Sequence, residues 1–311
     1  MSISPLSSYC NANLVAIYTN DANHELARRV EERARHGLVD HESAAMPVDC
    51  SHLDALLVYA SGSAGKPQSQ RKCVAYRLGR VEYETAWDWQ KQLIQQRVLA
   101  IRAEQSVEKD VVLILEHPSV YTLGRGGTME NVKFDPEKEH VKLVRVDRGG
   151  EVTYHGPGQV VVYPILDLTQ HKKDLHWYLR QVEEVVIRTL AKFDIQGERV
   201  DGLTGVWVEE KQGSGDEEHR EGNYEREMRK ICAVGTHASR WVTMHGFALN
   251  VKTDLREFDR IIPCGIDDRA VTSIERIRPD VTIKDVQDAA IEAISEVFHL
   301  DMEDFEAKTP L

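Results

Sequence analysis

Apolar positions follow two different rhythms along the chain, and the change of rhythm marks its elements. From Tyr83 to about Glu104, Trp87, Ile94, Val98 and Ile101 stand 7, 4 and 3 residues apart, which is one face of a helix. Leu175, Leu179, Val182, Val186, Leu190 and Phe193 step by 4, 3, 4, 4 and 3, a full helical stripe, and Asp174 stands where an N-cap belongs. Thr282 and Asp285 have capping-box spacing ahead of a third helix over Val286 to Phe298, with Val286, Ala290, Ile294 and Val297 on its buried face. Between these lie short apolar runs that read as strands: Cys73 to Leu78, Val111 to Leu115, Val141 to Val146, Val160 to Leu166, Leu203 to Val208, Lys230 to Gly235, and a strand pair within Trp241 to Val251. Pro118 stops the second run. The strands outnumber the helices and come as neighbours rather than in strict alternation. The fold class expected is therefore α/β in the broad α+β sense, a mixed β-sheet with packed helices rather than a doubly wound parallel sheet.

Three stretches break the pattern. Residues 1–70 are read as an N-terminal extension, poorly ordered or targeting in role, with a short strand at Leu14 to Tyr18, a charged helix at Glu25 to Arg35, and a Ser/Gly/Gln linker at 61–70. The main domain is set at 71–311. Glu209 to Arg229 is polar and carries both charge signs, so it reads as a solvated insertion between two strands. The third stretch is Arg148-Gly149-Gly150-Glu151-Val152-Thr153-Tyr154-His155-Gly156-Pro157-Gly158-Gln159. Its glycines permit a loop that wraps a ligand closely, or simply a glycine-rich hairpin connection. Tyr121 to Gly127 is a second glycine-containing loop bearing Arg125.

Composition narrows the function. The net charge of −12 argues against a nucleic-acid binder that works through bulk charge. The chain has no apolar run long enough to cross a bilayer. Five cysteines, Cys10, Cys50, Cys73, Cys232 and Cys264, form no C-x-x-C pair and no disulfide framework. Cys264 lies between Pro263 and Gly265, a good setting for a thiol at the tip of a turn, as nucleophile or as structure. Cys232 lies in an apolar strand and reads as a small hydrophobe, with second-thiol chemistry the alternative. Lys230 is a cation that would lower a thiol's pKa if it folds close to Cys264, and otherwise a solvated strand-opening lysine. His117, His155 and His245 are candidates for base, orienting group or satisfied loop residue. No metal-ligand spacing, P-loop or dinucleotide fingerprint is present.

These residues also carry a resemblance. The stretch Arg148 to Gln159, Glu116-His117-Pro118 with Tyr121 to Arg125, Lys230-Ile231 with Gly235, His245-Gly246 with Ala248 to Val251, and Pro263-Cys264-Gly265-Ile266 follow one another as in the lipoyl(octanoyl) transferases, from about residue 74 to 276. The resemblance implies a biotin/lipoate protein ligase-like fold, a mixed sheet with helices on one side. It implies transfer of an octanoyl group from octanoyl-acyl carrier protein to a lysine of lipoyl domains, those of 2-oxoacid dehydrogenase E2 subunits and the glycine cleavage H protein. Nucleic acid and membrane are not among the partners it implies. Cys264 would hold the acyl group as a thioester and Lys230 would lower the thiol's pKa. Arg148, Gly149, Gly150, Glu151, Val152, Thr153, Tyr154 and His155, with Ala233, Val234, Gly235, Gly246, Phe247 and Ala248, would form the acyl pocket. Backbone N–H groups of the glycine loop would face the oxyanion. Neither a cofactor nor a metal is called for.

Two other readings remain at this point: an ATP-dependent lipoate or biotin ligase on the same fold, and a non-catalytic binder of acyl-carrier or lipoyl domains. Cys264 discriminates the first, since adenylating relatives need no nucleophilic cysteine. Lys230 and Cys264 together argue against the second. An acidic donor protein would also need a local basic surface, for which Arg125, Lys133, Arg145 and Arg148 are candidates. The extension, the acidic insertion and Asp174 to Arg180, which resembles the plant and plastid branch, suggest a soluble organelle protein of plastid or mitochondrion; a bacterial chain would be cytoplasmic.

Overall fold

The computed structural model describes residues 71–105, 109–211, 226–262 and 270–310. The expectations for residues 1–70, for the Cys264 turn and for most of the polar insertion lie outside the described residues. Eleven strands are present among those described: β1 (Arg71–Arg80), β2 (Lys109–Glu116), β3 (Val120–Leu123), β4 (Leu143–Arg145), β5 (Val152–His155), β6 (Gln159–Ile165), β7 (Gly197–Val200), β8 (Leu203–Lys211), β9 (Arg226–Ser239), β10 (Val242–Asn250) and β11 (Leu300–Glu306). Eight form one sheet in the order β11-β1-β2-β6-β10-β9-β8-β7. Its first three strands run parallel and the remainder pair antiparallel, so the sheet is mixed as expected. The other three, in the order β4-β3-β5, make a small second sheet.

Helices α1 (Tyr83–Arg102), α2 (Leu175–Ala191), α3 (Ile274–Ile277) and α4 (Ile283–Phe298) complete the framework, and α1, α2 and α4 take up the large sheet's faces. Alternation along β6 shows how. Val160 and Val162 join a core with Val182, Val186 and Leu190 of α2 and Val286, Ala290 and Ile294 of α4. Val161, Tyr163 and Ile165 join a different core with Leu93 and Ile94 of α1. Helices therefore cover both faces, which corrects the one-sided arrangement the resemblance implied. The caps form as read: Asp174 accepts from the Trp177 N–H, and Thr282 and Asp285 make a reciprocal capping box. Leu175, read as part of the α2 stripe, is instead exposed, and Tyr178 takes the buried place.

Other boundaries moved for identifiable reasons. Trp241 to Val251 holds one strand, not two. β8 and β9 continue pairing to Lys211↔Arg226, so Glu209 to Lys211 and Arg226 to Arg229, assigned to the insertion, belong to the sheet. Strands β7 and β11 went unread because they are the two edges of the sheet, and edge strands are polar by necessity. The small sheet has its own core, built by Tyr121, Leu123, Phe134, Val152, Tyr154, Phe258 and Ile261.

Candidate active site

The site is built on a count of residues in β9. Simple alternation would set Lys230, Cys232 and Val234 on one face of the sheet. The pairing of β8 with β9 shifts between Val206↔Cys232 and Trp207↔Lys230, leaving Ile231 as one extra residue, a bulge. Ile231, Cys232 and Val234 therefore all enter the α2/α4 core, while Lys230, Ala233 and Gly235 line a cleft on the opposite face. Gly205 makes the bulge possible. Its φ is +118°, and a first side-chain carbon there would lie 2.6 Å from the Cys232 carbonyl oxygen. Lys230 is 7% exposed, with Nζ 4.7 Å from the Trp207 ring centroid. Its backbone N–H donates to the Ala270 carbonyl (3.0 Å), and its own carbonyl accepts from the Thr272 N–H (2.9 Å). The chain thus re-enters the described structure, after the segment that carries Cys264, against the backbone of Lys230.

The floor of the cleft is the pairing of β9 with β10: Ala233↔Ala248 and Gly235↔Gly246 stand opposite each other in register. Small residues here leave room above the sheet. The Arg148 loop closes the end away from Lys230, about five strand residues or roughly 16 Å along β9. It crosses so closely that a side chain on Gly235 would set its first carbon 3.0 Å from the Gly149 carbonyl oxygen. The Gly149 N–H donates to Thr236 (3.0 Å), so this amide is spent on holding the crossing and does not face an oxyanion. The Arg148 guanidinium lies inward, donating to the carbonyls of Thr122, Glu151 and Gly149 and to Thr122 Oγ1 at 2.8–2.9 Å. It is a structural tie, not a surface charge, which corrects its candidacy for a basic docking surface.

Beneath the cleft runs a chain of buried polar groups whose directions are fixed by carbonyls that can only accept. Asn250 donates to the Thr272 carbonyl (3.0 Å), so its Oδ1 faces Gln159 Nε2 (3.0 Å). Gln159 Nε2 also donates to the Tyr154 carbonyl, which turns Oε1 to His155 Nδ1 at 2.8 Å. His155 Nδ1 therefore carries the proton, and its Nε2 accepts from Thr122 Oγ1 at 3.4 Å, the hydroxyl that itself accepts from Arg148. Arg148 is in this way linked through four side chains, those of Thr122, His155, Gln159 and Asn250, and then the Thr272 backbone, to Lys230. His155 is held well below its ordinary pKa by burial first and then by the charges of His117 and Arg148. His117 donates from Nδ1 to Val81 and accepts at Nε2 from Tyr163, and burial lowers its pKa to about 4. His245 departs from the pattern. It holds φ +55° within β10, a left-handed conformation that needs support. Gln90 of α1 accepts its backbone N–H at 2.7 Å, and Nε2 meets Asp147 Oδ1 at 2.8 Å. That hydrogen bond is the main reason the Asp147 carboxyl is held at about 2.

Of the site residues expected from sequence, Arg148, Gly150, Glu151, Val152, Thr153, His155, Lys230, Ala233, Val234, Gly235, Gly246, Phe247 and Ala248 line this one cleft. Gly149 and Tyr154 do not. Tyr154 turns into the small sheet's core, its ring 5.1 Å from Tyr121 and its hydroxyl on Ser119 Oγ. Val234 and Phe247 send their side chains to the opposite core, so the cleft meets their backbone. Cys264 lies outside the described residues. Cys232 is fully buried on the far face, and burial pushes its thiol pKa well up, so it is no second nucleophile. Tyr83, Gln159, Tyr163, Thr204, Asn250, Phe258 and Val271 also line the cleft. Gln159 and Asn250 left a readable signal, polar side chains flanking the apolar runs of β6 and β10.

A model of the lipoyl protein ligase A/B catalytic domain matches residues 82–295. Octanoyltransferase of the cyanobacterium Nostoc sp. is 46% identical over 235 residues, covering 76% of this chain and 96% of that protein. The chain belongs to the octanoyltransferase family. Another family member, from Gloeobacter violaceus, is 47% identical over 75% of this chain and 93% of its own. Among solved structures, a bipartite lipoate protein ligase from Thermoplasma acidophilum, studied with its E2 lipoyl domain, aligns with TM-score 0.54 at 18% identity, over 76% of this chain and 88% of that one. A lipoate-protein ligase A bound with ATP aligns at 0.52 and 17%, over 76% and 89%. These distant likenesses establish for the family member the fold of the lipoate protein ligases, and the fold only.

Proposed function

We propose that residues 71–311 are the catalytic domain, that the cleft holds an octanoyl chain, and that Cys264 and Lys230 carry out its transfer. The activity is that of the family, an octanoyltransferase that takes the group from an acyl donor to a lipoyl-domain acceptor. We infer octanoyl-acyl carrier protein as the donor, and as acceptors the lipoyl domains of 2-oxoacid dehydrogenase E2 subunits and the glycine cleavage H protein. The Cys264 thiolate attacks the donor's thioester carbonyl, the C–S bond to the donor breaks, and the donor leaves as a thiol after taking a proton. The acceptor lysine, once deprotonated, attacks the new thioester; a C–N bond forms and the Cys264 thiolate is released. Exchange of one thioester for another is nearly balanced in energy, and the amide formed in the second step draws the sequence forward. A buried Lys230 ammonium favours the thiolate, and its neutral form takes the proton from the incoming amine.

The observation that carries this reading is the placement of Lys230: the bulge turns it into a cleft floored by alanine and glycine, and the chain coming from Cys264 returns at Ala270 onto its amide. The cyanobacterial relatives support a plastid over a mitochondrion as the compartment. The decisive experiment is intact-protein mass spectrometry after mixing with octanoyl-acyl carrier protein. Wild type and Cys232→Ala are expected to gain an octanoyl adduct that hydroxylamine releases, and Cys264→Ala to gain none. No adduct in wild type, with ATP-dependent labelling of a lipoyl domain instead, would overturn the thioester mechanism.

A further inference from the structure

We propose that Arg125, Arg145, Arg240 and Trp241 form the docking surface for an acidic protein that delivers the acyl group, an inference that rests on the acyl-transfer reading above. The chain carries a net charge of −12, so an acidic partner is repelled at long range unless a local surface of opposite sign receives it. Most arginines are committed elsewhere. Arg77 pairs with Asp288 and Asp304, Arg188 with Glu184 and Glu296, Arg199 with Glu183 and Glu184, and Arg260 with Glu139. Arg125, Arg145 and Arg240 are exposed and make no ion pair with a described residue.

The backbone gathers these three at one rim. Arg145 ends β4 in register with Leu123 of β3, and Arg125 stands two residues beyond Leu123 with its N–H on the Arg148 carbonyl. The loop of Arg148 is tied to β9 at Thr236, next to His237. His237 is half-buried, and its pKa is lowered by burial, with Asp147 opposing and the nearby Arg125 charge adding. Two residues further, Ser239 pairs with Val242 and closes the turn that presents Arg240 and Trp241. Two acids stand in this neighbourhood, Asp147 and, bridged to Val242 beside the turn, the buried Asp167; Asp147 bears on the rim of Arg125 and His237. It is engaged by His245 at 2.8 Å, with His237 3.9 Å away.

The turn supplies an independent observation. Both central residues are left-handed, Arg240 at φ 51° and Trp241 at φ 70°. A two-residue hairpin of this kind ordinarily uses Asn-Gly, because larger side chains are strained there. Here the strained position carries a tryptophan that remains 38% exposed. Strain kept to hold an aromatic in water next to uncommitted arginines fits a contact made in a complex, and Trp and Arg are the residue types that anchor such contacts.

The test uses the full chain with three substrates: octanoyl-acyl carrier protein, the protein-free thioester octanoyl-pantetheine, and a lipoyl domain. The variants are Arg125→Glu/Arg145→Glu/Arg240→Glu, its charge-neutral counterpart with Gln at the same three positions, and Trp241→Ser. KM for the protein-borne donor should rise on the order of tenfold in the Glu variant and less in the other two, with kcat unchanged. Turnover of octanoyl-pantetheine and KM for the lipoyl domain should not move. Added salt should raise the wild-type KM for the carrier and leave that of the Glu variant nearly flat. An unchanged carrier KM in all three variants would overturn the proposal, and so would a rise confined to the lipoyl domain, which would assign the surface to the acceptor. Wild type that turns over neither thioester would instead overturn the acyl-transfer reading.

Discussion

The two faces of the eight-stranded sheet are made by alternate residues of the same strands, yet they are held together differently. Against α2 and α4 the contacts are almost wholly apolar: Val162, Ile231, Leu249, Ile294 and Phe298 pack with no hydrogen bond to satisfy. Toward α1 and the cleft, the sheet and its neighbours bury Gln90, His117, His155, Gln159, Lys230, His245 and Asn250. Each removed group on the first face leaves a void whose effect scales with its size. Each removed group on the second leaves a partner with an unpaired donor or acceptor. The first face should therefore govern stability, and the second should join stability to the geometry of the cleft.

The largest effect expected lies on the apolar face. Ile294→Ala should destabilise by about 4 kcal/mol in chemical denaturation, because Ile294 is fully buried on α4. Steady-state KM and kcat below the unfolding transition should stay within about twofold of wild type; a larger kinetic change would show that the faces are coupled and break the distinction. Next comes acid. His117 is buried neutral with its pKa lowered from about 6.5 to about 4. The unfolded chain takes up that proton first, so stability is full above pH 6.5 and falls as the pH drops toward 4, by about 3 kcal/mol for this residue alone. Urea denaturation against pH should show that slope in wild type, and His117→Asn should remove a corresponding share of it. An unaltered slope would place the acid sensitivity elsewhere. The smallest effect on stability is the sharpest on the comparison. Gln159→Ala unpairs His155 Nδ1 and Asn250 Oδ1 and should cost about 2 kcal/mol. Unlike Ile294→Ala, it should also lower kcat/KM for octanoyl transfer, by about tenfold. A variant that loses stability but keeps full kcat/KM would reduce the polar chain to ordinary packing.

Legibility in the sequence divides along the same line. The α2 and α4 helices, their caps at Asp174 and Thr282, and strands β2 and β6 could be read directly because uniform burial imprints a uniform period. The edge strands β7 and β11 could not, since an edge has to stay polar. The Arg148 stretch was recognisable as special from its glycines, but not its division into a crossing loop, the buried strand β5 and a second turn. Tyr154 shows why: its place in the small sheet's core depends on Tyr121 and Phe258, far away in the chain. Lys230 read as a solvated lysine opening a strand because the insertion was drawn too long. Only the pairing with β8 reveals that it is the fifth residue of β9 and on the cleft side.

The bulge at Ile231 has a consequence at the level of the gene. A change in length among residues 212–225 leaves the count from Lys230 to Gly235 untouched, whether it adds one codon or ten. Loss of the single Ile231 codon keeps the reading frame, removes the bulge and restores strict alternation with Lys230 still on the face of Ala233 and Gly235, whereas loss of Ile231 and Cys232 together turns Lys230 away from them. In a library of in-frame insertions and deletions, tolerance in β9 should follow the parity of the change and its side of Lys230 rather than its size.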